Sequence, residues 1–76
     1  SVREIIHEHH EHVREATELF HEERAELRRR GVRLSAADYL AQAEQIRERH
    51  IDDLRRINEH SREEYEVLRE DRRNAK

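Results

Sequence analysis

At 76 residues the chain has room for one small domain, and with 33% hydrophobic and 46% charged residues that domain has little to bury. There is no cysteine, which excludes a disulfide framework, a thiolate metal site and a thiol nucleophile, and no apolar run approaches the roughly 20 residues of a membrane span. Sixteen basic against nineteen acidic residues leave a net charge of −3 with the signs interleaved, whereas nucleic-acid binders of this size carry a basic excess.

From Ser1 the composition is Glu, Arg, Ala and Leu, all good helix formers. Ser1 followed by Glu4 has the spacing of a capping box, so a first helix is predicted from about residue 2 to 30. Arg28, Arg29 and Arg30 sit where the helix dipole favours cations, which is a sufficient role for that cluster. Gly31 is expected to end the helix in the left-handed conformation. Residues 31–35, Gly-Val-Arg-Leu-Ser, form the single break in the chain. Ser35 is the predicted N-cap of a second helix running to about residue 73, with Asp38 in the reciprocal position and Leu34 and Tyr39 as a hydrophobic staple. The fold class is therefore all-α, an antiparallel two-helix hairpin.

Apolar residues recur every seven positions in both helices, the coiled-coil period. In the first helix one column reads Ile6, Val13, Phe20, Leu27, and in the second another reads Leu40, Arg47, Leu54, Ser61, Leu68. Three such columns per helix make a face wider than a two-stranded seam needs, the width of a helix with two neighbours. A second copy of the hairpin supplies the missing helices, so the expected assembly is a homodimeric four-helix bundle.

Seven histidines are the anomaly. His7, His10 and His21 fall on the outward side of the first helix and read as solvated surface. His9, His12, His50 and His60 share columns with Ile, Val, Leu and Phe, as do Glu23, Asp53 and Glu64. Burying that many ionisable groups unpaired costs several kcal/mol each, so a polar network or a metal ion must satisfy them. Folding about the turn pairs residue i with roughly residue 66 minus i. That sets His12 level with Asp53, Ala16 with His50 and Glu23 with Ala43. His9-x-x-His12 and His50-x-x-Asp53 then face each other, each pair on one helix face. Imidazole nitrogens with one carboxylate suit zinc, cobalt, copper or iron. The expected ligands are His12, His50 and Asp53 with His9 in reserve, and His60-x-x-x-Glu64 is a further same-face pair nearer the open end.

With these inward carboxylates and histidines the chain resembles designed two-helix hairpins that dimerise into four-helix bundles, the minimal di-iron or due ferri family. The resemblance is one of architecture over the whole chain. The family places one Glu on one helix and Glu-x-x-His on the other. His9-x-x-His12 and His50-x-x-Asp53 depart from that, and a His-rich zinc site fits better than a di-iron oxidase.

Two functions follow. One is self-association around a core His/carboxylate site that binds zinc or another divalent transition metal. The other is a plain coiled-coil hairpin whose buried His/carboxylate hydrogen bonds make it pH-sensitive, with no metal. A zinc-dependent hydrolase would need an open coordination position and a base such as Glu23 or Glu64. No nucleophile order, phosphate loop or dinucleotide fingerprint supports any other enzyme, and no nucleic acid, membrane or small-molecule partner is indicated.

Overall fold

The first helix, α1, covers Val2–Gly31 and the second, α2, covers Ala36–Asn74 in the computed structural model, which describes residues 1–75. They lie side by side as an antiparallel hairpin, and the described residues include no strand. Both starts are capped as their sequences dictate. The Glu4 amide donates to Ser1 Oγ at 3.3 Å and the Ser1 amine to the Glu4 carboxylate at 3.5 Å, so the capping box is complete. At α2 the Asp38 amide donates to Ser35 Oγ at 3.1 Å.

The end of α1 differs from expectation. Gly31 is itself helical, no described glycine has a positive φ, and Val32 follows in the right-handed helical region. The last turn tightens instead: the Arg33 amide donates to the Arg30 carbonyl and the Leu34 amide to that of Gly31, both at 3.1 Å. Glycine here lets the Tyr39 ring approach the backbone closely. A Cβ on residue 31 would stand 2.5 Å from Cε2 of Tyr39, inside any tolerable contact. The first turn of α2 thus packs its aromatic ring onto bare backbone.

One seam between the helices is the whole interior. Ile5 and Leu27 are buried near its two ends, at 5% and 2% exposure, together with Ser61. His9, His12, Val13, Ala16, Phe20 and Glu23 line it half-buried from α1, and Ile46, His50, Leu54 and Ile57 from α2. The molecule measures 64 × 17 × 7 Å with a radius of gyration of 18.1 Å, against about 11 Å for a compact domain of this length. Its accessible surface is 6517 Å², roughly 1,500 Å² more than the ~5,000 Å² of a compact monomer of this mass.

The register across the seam is offset from simple folding about the turn. Side chains meet where residue numbers total 70 (His9 with Ser61, Phe20 with His50) or 72 (His12 with His60, Glu23 with Arg49), not 66. Two causes add. Each helical side chain leans towards its own N-terminus, and in an antiparallel pair the two leans displace the meeting point by about two residues. The break is also centred later than assumed, because α1 continues through Gly31.

Candidate functional site

The offset redistributes the polar residues of the seam. His9 on α1 meets Ser61 on α2, where His9 Nδ1 and Ser61 Oγ share a hydrogen bond of 2.8 Å whose direction the imidazole tautomer sets. Ser61 is buried, and this bond satisfies its hydroxyl. His50 lies under Phe20, with ring centroids 4.3 Å apart and planes inclined by 19°. Its Nδ1 is buried and has no hydrogen-bond partner among the described residues. The crevice beside it, lined by Ala16, Phe20, Glu23, Ile46 and Asp53, has no room for a water molecule. His50 is therefore packed as an aromatic body with an unsatisfied nitrogen, a conformation that costs about 1–3 kcal/mol.

Asp53 turns along its own helix to Arg56, whose Nη2 donates to Oδ1 at 2.7 Å. Glu23 reaches across the seam to an ion pair with Arg49. The structure thus separates the three foremost predicted ligands. His50 and Asp53 line one crevice near mid-seam, while His12 lies towards the open end beside His60, with ring centroids 6.4 Å apart. His7, His10 and His21 are exposed.

Among the described residues, the group whose donor atoms come together is Glu8, His60 and Glu64, one ligand atom from each lying within 4.8 Å of the others. His60 Nε2 stands 2.7 Å from Glu64 Oε1. His60 and Glu64 are among the residues expected from spacing; Glu8 is not. Its signal was present as Glu8-x-x-x-His12, the same four-residue spacing as His60-x-x-x-Glu64. Ser61, the partner of His9, carried no signal beyond its place in an otherwise apolar column.

On the outer surface, charge pairs run along each helix rather than between them: Arg14 with Glu11 at 2.9 Å, and Arg29 and Arg30 with Glu26. The hydrogen bond from Arg29, with its charge, holds the Glu26 carboxyl below its ordinary value. No described helix is long and apolar enough to cross a membrane. Comparison with protein families, curated proteins and solved structures returned no match.

Proposed function

We propose that this hairpin is a self-association module, two copies pairing through their apolar faces as a homodimeric four-helix bundle. The observation that carries the reading is the poverty of the interior: only Ile5 and Leu27 among the described hydrophobic residues are buried. Ile6, Leu19, Leu40 and Val67 remain exposed, at 42%, 44%, 67% and 58%. At the open end Val2, Ile6, Tyr65 and Leu68 line a shallow groove between the helices, above the His9–Ser61 pair. Covering a surplus of roughly 1,500 Å² on each of two chains would bury about 3,000 Å², within the range of obligate homodimers. The interleaved charges favour a second copy as occupant, since net −3 on a chain this long gives little mutual repulsion.

The polar seam supports a role in specificity within the same reading. A directional contact such as His9–Ser61 forms in one register and is lost in a slipped one. Sedimentation equilibrium at micromolar concentration should give twice the 9.4 kDa chain mass. Ile6→Lys, a change on the exposed groove, should shift the population to monomer. A helical parent chain that sediments as a monomer overturns the reading.

A further inference from the structure

We propose that Glu8, His12, His60 and Glu64 form, within a single hairpin, a site for one divalent transition-metal ion, with zinc the best-fitting occupant. Glu8 and His12 stand four residues apart on α1, and His60 and Glu64 four apart on α2, so each pair projects from one helix face. Antiparallel packing sets Glu8 against Glu64 and His12 beside His60. One nitrogen and two carboxylates, from Glu8, His60 and Glu64, thus come together from both helices, and His12, whose ring lies 6.4 Å from that of His60, is the fourth donor that would complete the N/O set zinc takes in tetrahedral geometry.

The distances are close to those an ion needs. Donors bound to one zinc at about 2.0–2.2 Å lie roughly 3.3 Å from each other, and two imidazoles on it have centroids about 5 Å apart. The present values are within 4.8 Å for the three mutual donors and 6.4 Å between the rings. Binding would have to draw the donors together by about 1.5 Å, a distance on the scale of side-chain rotation.

The electrostatics point the same way. The seam carboxylates of the mid-hairpin have guanidinium partners, Glu23 with Arg49 and Asp53 with Arg56. Glu8 and Glu64 converge with no Arg within ion-pair distance among the described residues, and His60 is the one cationic-type neighbour of Glu64. Two carboxylates brought together without a fixed counter-charge favour a bound cation. Glu8 and His60 are exposed, so an ion has a path in from solvent. The His50 and Asp53 region offers none of this, since Asp53 is already paired and His50 is wedged against Phe20.

The test is calorimetric titration of the metal-stripped full chain with zinc, with cobalt absorption as a second readout of tetrahedral coordination. One ion per chain is expected. Glu8→Gln and His60→Ala should each weaken binding by at least about tenfold. His50→Ala, Asp53→Asn and the surface change His7→Ala should leave it within about twofold. Glu8 is exposed, so Glu8→Gln decides the matter even if circular dichroism shows His60→Ala to be unfolded. The Ile6→Lys variant should bind zinc as the parent does, because the site lies inside one hairpin and does not depend on dimerisation. Absence of binding, loss on changing His50 or Asp53 instead, or loss in Ile6→Lys would overturn the assignment.

Discussion

The half of the hairpin beside the turn and the half at its open end are built on different principles. Beside the turn, Leu27 is the most buried side chain, Tyr39 lies on the bare backbone of Gly31, and Glu23 pairs across the seam with Arg49. At the open end Ile5 is the one buried hydrophobic residue, and the contacts around it are His9 with Ser61, His12 with His60, and His60 with Glu64. The first half has the most deeply buried side chain and a cross-seam ion pair, whereas the second adds to one buried isoleucine a directional hydrogen bond, His9 with Ser61.

The contrast predicts where substitutions hurt. Leu27→Ala removes the best-packed side chain of a domain with almost no other core, a loss of about 2–5 kcal/mol, comparable with the whole stability of a small domain. Thermal unfolding should show the cooperative transition collapsing. An unchanged melting temperature would mean that the turn half is not the stabilising one.

Two seam substitutions should move stability in opposite directions. Ser61→Ala strips His9 of its partner and should cost about 1–3 kcal/mol. His50→Leu should instead stabilise by about 1 kcal/mol. It relieves an unpaired buried nitrogen costing about 1–3 kcal/mol, and gives up a ring stack on Phe20 worth about 0.5–1.5. Denaturant midpoints for the two variants should fall on either side of the parent. Destabilisation by His50→Leu would show that the imidazole has a polar task the packing conceals.

The smallest effect belongs to the surface. Arg29 lowers the Glu26 carboxyl from its ordinary 4.5, so the pairing contributes fully above that value and is lost as the pH falls through the lower, folded-state one. Being fully exposed, it should touch stability little. An NMR titration should place the Glu26 midpoint below that of an isolated glutamate, and Arg29→Gln should raise it. A midpoint at or above the ordinary value contradicts the pairing.

Much of the architecture was legible in the residues because it rests on local rules. Seven-residue periodicity, Ser1 with Glu4, and Ser35 with Asp38 act within a turn or two of helix, and the hairpin follows from them. The way polar residues meet was not legible, because it depends on register. The meeting points are shifted by one to two turns, in part through side-chain lean and the extra helical residue at Gly31, which takes His12 from Asp53 to His60 and His9 from Ile57 to Ser61. Gly31 departs from expectation for a similar reason. Its role is set by Tyr39, eight residues on, and not by its own backbone preference.

The four residues Val32–Ser35 between the helices also order the molecule in time. Tyr39 and Gly31 close the shortest loop and cost the least chain entropy, and every later contact up the seam encloses a longer one. Chain entropy alone therefore favours closure from the turn outward, with His9 and Ser61, 52 residues apart in the chain, expected among the last to meet. Contacts made last are absent from the transition state, so strengthening them slows opening without hastening closure. On that order, an interaction added at the far end of the seam is expected to act as a latch on a hairpin already closed at the turn, and to be read in the unfolding rate.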